Sequence, residues 1–189
     1  EIMKKVAIAL FLGSALSLCA SEFILDKTHT SVNFKVKHLS ITNVMGQFSN
    51  FDAKIDYDDA TKSFKVFEAD VDIVSVDTKD KGRDAHLQDG GFFNSQKFPK
   101  ATFKMDRYEK KSDNEGKMHG TLTIAGVSKN VVLDTDIGGT AKDREGVTKL
   151  GFSLETDIKR KDFNVASSTP EAVIGDKVEI KIEVEAAQK

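Results

Sequence analysis

The sequence predicts an all-β fold, either an antiparallel sandwich or a closed barrel, from three observations. Apolar and polar residues alternate over most of the chain, as they do in strands that bury one face. Short turn signals rich in Gly, Asn and Asp separate the alternating segments. Helix-forming residues between a capping Asp and a Gly-Gly pair occur in one place, over residues 80–91. Many strands with one apolar face each, joined by short turns, build a sandwich or a barrel.

Eight segments show the alternation most clearly. Between Thr30 and His38 the even positions are mostly apolar and the odd positions polar, so that one face is predicted to be buried. The last segment repeats this pattern with Val178, Ile180 and Ile182. We therefore predict strands at residues 30–38, 45–57, 64–75, 101–111, 117–125, 129–140, 147–158 and 177–185.

A barrel with its apolar side chains turned inward fits this composition better than an outer-membrane barrel. Membrane barrels carry aromatic girdles on an apolar outer surface, whereas this chain has no Trp, two Tyr and many charged residues at the outward positions. The interior of a small barrel is either filled by its own side chains or open to an apolar ligand. Thirteen Phe suit both alternatives, and composition does not separate them.

The first twenty residues are predicted to be a secretory signal peptide. Glu1 and Ile2 precede Met3, and a basic pair is then followed by an apolar run too short to span a membrane. Two processing routes are compatible with the residues that follow: ordinary cleavage after Ala20, or lipoprotein processing with a lipid on Cys19. The expected location is periplasmic or secreted, with anchoring through Cys19 as the alternative.

Residues 21–189 are expected to form one domain with a sizeable core. Because Cys19 is the only cysteine, this domain holds no internal disulfide. Without Glu1, Lys4 and Lys5, 26 basic and 29 acidic side chains remain, a net charge of −3. This balance gives no electrostatic reason to expect a nucleic acid as a partner.

The segment from Asp80 to Gly91 is predicted to be a short helix near a mouth of the barrel. Asp80 is placed to cap its first turn, and Gly90 and Gly91 are placed to end it in left-handed dihedrals. Arg83 and His86 share a face of this helix, and Phe92 and Phe93 follow it. The segment is either a structural cap on the barrel or a lid that lines the entrance of a binding site.

Catalysis and metal binding receive little support from the sequence. The domain lacks a nucleophilic Cys, a nucleophile elbow and a phosphate-binding loop, and Asp84 with His86 is a pair that arises by chance. The histidines His29, His38, His86 and His119 stand singly, without the short spacing of a zinc site.

Arg160 is marked by its position on the apolar side of a strand. An unpaired guanidinium would be unfavourable there, so it is expected to meet an inward carboxylate or the anionic group of a ligand.

Taken together, the motifs resemble the YceI family from about residue 22 to residue 185. No single motif is specific, but their order and spacing are. The matching residues are Asp26-x-x-His29-x-x-Val32-x-Phe34-x-Val36-Lys37-His38-Leu39, Gly46-x-Phe48, Arg83-Asp84-x-His86-Leu87, Phe92-Phe93, Phe98-Pro99, Thr102-Phe103, Gly120-x-Leu122-Thr123-Ile124-x-Gly126-Val127-x-Lys129 and Arg160-x-Asp162-Phe163. Asn164 stands where the family favours Gly, and Asn tolerates a positive φ.

The resemblance implies a lipocalin-like, eight-stranded antiparallel barrel that holds a long amphiphile such as a polyisoprenoid or an isoprenoid quinone. It implies no catalytic residues and makes a homodimer an expectation. We further expect no cofactor and a transient contact with the membrane. The residues expected to line the pocket are Phe34, Val36, Phe48, Phe92, Phe93, Phe103, Leu122, Ile124 and Phe152. The residues expected at the head-group end are His38, Arg83, His86 and Arg160.

Overall fold

The computed structural model describes residues 20–189, which form eleven strands, one α-helix and two short 3₁₀ helices. The predicted signal peptide up to and including Cys19 lies outside the described residues. The strands are β1 (Ser21–Leu25), β2 (Ser31–His38), β3 (Thr42–Phe48), β4 (Phe51–Asp58), β5 (Ser63–Asp72), β6 (Val76–Asp77), β7 (Lys100–Lys110), β8 (Glu115–Ile124), β9 (Val127–Lys142), β10 (Thr148–Lys159) and β11 (Ile174–Gln188). The helix α1 spans Lys81–Leu87, and the 3₁₀ helices span Ile73–Ser75 and Arg160–Phe163.

The strands form one antiparallel sheet that closes on itself in the order β1-β4-β5-β7-β8-β9-β10-β11, with β1 paired to β11. β11 is long enough to pair with β1 near its end, at Ala186, and with β2 over residues 174–183. β1 and β2 therefore act as one interrupted strand, and β3 and β4 act as another. The predicted eight-stranded antiparallel barrel is confirmed.

Several predicted strand boundaries differ from the structure. The predicted strand 64–75 ends at Asp72, because Ile73–Ser75 form a 3₁₀ helix, and β11 extends beyond the predicted 177–185 at both ends. The predicted strand 45–57 is divided at Ser49 and Asn50, where the chain leaves β3, which pairs with β2, and enters β4, which pairs with β1. β1 and β6 were not predicted, because five and two residues are too few for a clear alternation.

One half of the barrel interior is filled. Phe64 lies at the centre of this filled half, and its ring centroid is 4.9 Å from that of Tyr57, 5.3 Å from that of Tyr108 and 4.8 Å from that of Phe152. The contacts of Phe64 with Tyr108 and Phe152 are edge-to-face, and such contacts between aromatic rings add to the free energy gained from burial. The fully buried aliphatic side chains around these rings are Ile55, Met118, Ile137, Leu150 and Leu154. This half therefore has no space for a ligand.

The helix α1 begins as predicted but ends differently. The Asp80 side chain accepts a hydrogen bond from the Arg83 backbone N–H at 2.9 Å, which is an N-cap. The helix ends at Leu87, where the N–H groups of Gln88 and Asp89 donate to the carbonyl groups three residues earlier. Gly90 and Gly91 do not adopt a positive φ, so the prediction that they end the helix in left-handed dihedrals is wrong.

No helix among residues 20–189 is both long enough and apolar enough to cross a membrane.

Candidate functional site

The other half of the barrel contains a cavity of about 370 Å³. This volume lies in the range of pockets that bind small molecules. Its walls come from the inward faces of β2, β3, β5, β7, β8 and β11, and from α1 and the segment 163–174. Most of the side chains around it are aliphatic or aromatic, so that the cavity suits an apolar occupant.

Eight of the nine predicted pocket residues lie around this cavity. They are Phe34, Val36, Phe48, Phe92, Phe93, Phe103, Leu122 and Ile124. Phe152 does not line it, because its ring packs against Phe64 and Phe67 in the filled half. The alternation along β10 predicted that Phe152 points inward, and it does. The alternation did not predict the level along the barrel axis at which Phe152 lies.

Three aromatic rings form a row along the cavity wall. The Phe48 centroid is 5.7 Å from that of Phe34 and 6.2 Å from that of Phe93. Phe34 lies directly across from Gly46, and a Cβ at Gly46 would come within 2.2 Å of the Phe34 ring. The absence of a side chain at Gly46 therefore lets the Phe34 ring lie across β3.

Arg83 and His86 are exposed residues of α1 and lie at the mouth of the cavity. The Arg83 guanidinium donates from Nε to the Thr78 hydroxyl and from Nη2 to the Thr78 carbonyl, both at 2.8 Å. Its Nη1 makes no hydrogen bond with any residue of the described chain. His86 Nδ1 lies 2.9 Å from an Asp89 carboxylate oxygen, and its ring packs edge-on against Phe92. Arg83 thus keeps donors that can reach a polar group at the mouth.

Asp84 has a structural contact of its own. Its Oδ1 accepts hydrogen bonds from the Thr78 backbone N–H at 2.8 Å and from the Thr78 hydroxyl at 2.6 Å. Asp84 and His86 therefore each bond to another residue, and they do not form a hydrogen-bonded acid–base pair with one another.

Arg160 is buried, with 4% of its surface exposed, and it borders the cavity. Its guanidinium donates to five backbone carbonyl groups, and no carboxylate of the described residues pairs with it. These carbonyls belong to Val165, Ala166, Thr169, Ile174 and Gly175. The expectation that Arg160 needs a carboxylate or a ligand anion is therefore wrong, because backbone oxygens satisfy all five donors. Its positive charge remains beside the cavity.

The segment between Arg160 and β11 contributes cavity residues that the sequence did not indicate. Phe163, Val165 and Val173 line the cavity, although the segment has no strand or helix periodicity. Asn164 adopts a φ of 58°, as Asn tolerates, and turns the chain after the 3₁₀ helix. In β11, Val178 and Ile180 also face the cavity. Their alternation was visible in the sequence.

A group of ionisable side chains lies on the outside of the barrel, away from the cavity. Ligand atoms of Asp26, His29 and Glu185 lie within 4.8 Å of one another. The Lys149 ammonium is 3.6 Å from Asp26 and 3.8 Å from Glu185, and so takes the place that a cation would need. Hydrogen bonds from Thr28 and His29 hold the pKa of Asp26 well below its ordinary value, and Asp26 in turn raises the pKa of His29. The group is an ion-pair network.

Known proteins resemble this chain in both sequence and fold. Residues 23–186 match the sequence profile of the YceI-like domain. Protein YceI of Salmonella newport (strain SL254) is 36% identical over 193 residues, which cover 99% of this chain and all of that protein. The crystal structure of the Campylobacter jejuni YceI protein is 51% identical, with a TM-score of 0.77, and covers 87% of this chain and 96% of that chain.

More distant structures share the fold alone. Burkholderia cenocepacia BcnA is 23% identical with a TM-score of 0.74, and covers 85% of this chain and 98% of that chain. A polyisoprenoid-binding domain from Saccharophagus degradans is 15% identical with a TM-score of 0.66, and covers 90% of this chain and 99% of that chain. The profile match, the similarity to the Salmonella protein and the closed barrel agree with one another. The chain belongs to the YceI family.

Proposed function

We propose that this protein is a periplasmic carrier that holds a long amphiphilic lipid, of the polyisoprenoid or isoprenoid quinone class, in its barrel. The observation that carries the proposal is the apolar cavity of about 370 Å³ in the half of the barrel below α1. A protein that needed only a stable core would fill this half as it fills the other. The polyisoprenoid-binding domain of Saccharophagus degradans, which has the same fold, supports this class of ligand.

Binding is driven by removal of the lipid tail from water. Each buried methylene contributes about 0.8 kcal/mol, so about ten of them contribute ~8 kcal/mol, which corresponds to a micromolar dissociation constant before ordering terms. The aromatic row of Phe34, Phe48 and Phe93 and the aliphatic face of β11 would contact the tail. A longer tail would offset the entropy lost when the ligand is ordered.

The head group would lie at the mouth, near His38, Arg83 and His86. Arg83 is the strongest candidate for direct contact, since its Nη1 has donors that no described residue uses. Arg160 would act through its charge and not through hydrogen bonds, because five carbonyl groups already accept from it. A head group with oxygen acceptors fits this arrangement.

Two other functions are less well supported. An envelope stress or interaction protein with a packed core and no ligand would not need the open half of the barrel. An acid–base enzyme that used Asp84 and His86 would need them to act together, whereas Thr78 and Asp89 occupy them separately. We therefore interpret the protein as a binding protein that needs no cofactor. A homodimer remains a prediction.

The test is mass spectrometry of organic extracts from protein purified without detergent from its native envelope. We expect a stoichiometric long-chain amphiphile in the wild type. Leu122→Arg places a charge in the cavity and should abolish lipid binding. Thr123→Arg, on the opposite face of the same strand, should leave the bound lipid in place. A folded wild type that yields no lipid would contradict the proposal. Circular dichroism of each variant shows whether the barrel is intact.

A further inference from the structure

The turn between β2 and β3 exposes bulky apolar side chains beside the mouth of the cavity. Ile41 is 81% exposed and Leu39 is 50% exposed. Val173 is 39% exposed and lies next to them, since its carbonyl accepts the Leu39 N–H at 2.9 Å. We call Leu39, Ile41 and Val173 the apolar tip. The other large exposed apolar side chains of residues 20–189 do not belong to this turn.

The apolar tip is continuous with the cavity. His38, directly before Leu39, and Ile174, directly after Val173, are partners in the β2–β11 pairing, and both border the cavity. Val173 itself belongs to both surfaces. An apolar path therefore runs from the exposed turn into the barrel.

The backbone of this turn is unusual for the residues it contains. Leu39 and Ser40 adopt successive positive φ angles of 49° and 59°, the pattern of a type I′ turn. Asn and Gly build such turns without strain, whereas a bulky residue in this region is disfavoured. A strained conformation that points a Leu side chain into water suggests that this side chain has a partner outside the protein.

The size of the apolar tip and the charged side chains around the mouth indicate what this partner is. Three aliphatic side chains on a protruding turn cannot supply the roughly 800 Å² per subunit that a stable protein–protein contact buries. They match the way in which a peripheral protein inserts a few apolar side chains into the boundary between lipid head groups and acyl chains. Lys37, two residues before Leu39, borders the cavity, and Arg83 lies at the mouth of the same cavity; neither forms an ion pair with a carboxylate of the described residues. Such side chains can contact lipid phosphates.

We propose that the apolar tip docks the mouth of the barrel on the surface of a phospholipid bilayer. The tail of an amphiphile would then pass between the bilayer and the cavity along apolar surface, with little exposure to water. The use of docking for lipid exchange rests on the proposed function. Docking itself does not, because it needs only the tip and its neighbouring cations.

Co-sedimentation with vesicles of phosphatidylcholine and phosphatidylglycerol tests the proposal. The protein is taken in the form that the cell exports, and its intact mass establishes the first residue. We expect Ile41→Ser to weaken partitioning into vesicles roughly ten-fold, the order expected when one aliphatic side chain no longer leaves water. Ile24→Ser is the matched control, because Ile24 is 56% exposed on β1, in the filled half of the barrel.

Leu39→Gly provides a second test in which the two readouts move in opposite directions. Gly relieves the positive φ and should raise the midpoint of thermal unfolding, while loss of the Leu side chain should weaken vesicle binding. Equal losses for Ile41→Ser and Ile24→Ser would contradict docking through the tip. So would a wild type that stays in the supernatant, or a vesicle-independent dimer that Ile41→Ser abolishes.

The lipid content of the same samples separates the two proposals. Wild type that carries lipid but fails to bind vesicles would overturn docking and leave the carrier function standing. Wild type that binds vesicles through the tip but carries no lipid would support docking and contradict the carrier function.

Discussion

Replacement of Arg160 by Met should strongly destabilise the segment that closes one side of the cavity. Met keeps an unbranched apolar side chain, shorter than that of Arg, and removes all five hydrogen bonds to backbone carbonyls. The carbonyls of Val165 and Ala166 are bonded in buried surroundings, whereas the other three bonds are partly buried. Water can replace the guanidinium at the partly buried oxygens more readily than at the buried ones.

The magnitude follows from these two groups of acceptors. The Ala166 carbonyl keeps the Thr169 N–H as a donor at 2.9 Å, so the Val165 carbonyl is the buried acceptor that loses its partner, at a cost of about 1–3 kcal/mol. The variant no longer buries a charge, which offsets part of this loss. With the loss of the three partly buried hydrogen bonds added, we expect the free energy of unfolding of Arg160→Met to fall by about 2 kcal/mol. Because Phe163, Val165 and Val173 lie in the same segment and line the cavity, lipid retention should fall as well.

Urea unfolding followed by far-UV circular dichroism measures this change. Arg107→Met is the control, because Arg107 is exposed and its ion pair with Glu109, at 3.5 Å, lies at the surface. Loss of such a pair changes stability by no more than about 0.5 kcal/mol. If Arg160→Met lost less than about 1 kcal/mol, the five hydrogen bonds would not be what holds the segment in place.

Three further predictions concern the cavity, the turn and the surface ion pairs. Val178→Phe should fill the cavity, so that bound lipid disappears from mass spectra. The free energy of unfolding should rise by about 0.5–2 kcal/mol. A loss of stability would mean that the cavity cannot accommodate the Phe ring. Leu39→Gly should raise the free energy of unfolding, measured in urea, by about 0.5–1 kcal/mol. The free energy gained by relief of the positive φ exceeds the free energy lost through the entropy that Gly adds to the unfolded chain. An unchanged unfolding midpoint would argue against strain at Leu39. The pKa of His29 is raised by Asp26, so its stabilising effect is complete below the ordinary His pKa and is lost as the pH rises through the raised value. The pKa of Asp26 is lowered, so its effect is lost only as the pH falls through that lowered value. An NMR titration should find the His29 midpoint above its ordinary value and lower in Asp26→Asn, where the charge of Glu185 still raises it. Equal midpoints in the two proteins would contradict the pairing.

The alternation of apolar and polar residues predicted the cavity-facing side chains well wherever strands were long. Phe34 and Val36 in β2, and Leu122 and Ile124 in β8, face inward as their parity indicates. A strand can place every second side chain on one face only, so the pattern requires no tertiary information.

The partners of Arg160 could not be predicted in this way. Parity indicated that it is buried, and the structure confirms this. Its acceptors are backbone carbonyls from the irregular segment after the 3₁₀ helix and from the start of β11, and every residue carries a carbonyl. The residue types therefore do not mark them.

The sequence by itself determined the antiparallel barrel, the family, the N-terminus of α1 and the face of each long strand that turns inward. Only the tertiary structure decided at which level along the barrel axis the interior is filled and at which level it is open. Phe64 and Phe152 come from strands far apart in the chain, yet their rings meet 4.8 Å apart and close one half of the barrel. Period-two alternation records which side a residue faces. The height at which two side chains meet depends on the register of all the strands between them, and only the folded sheet sets that register.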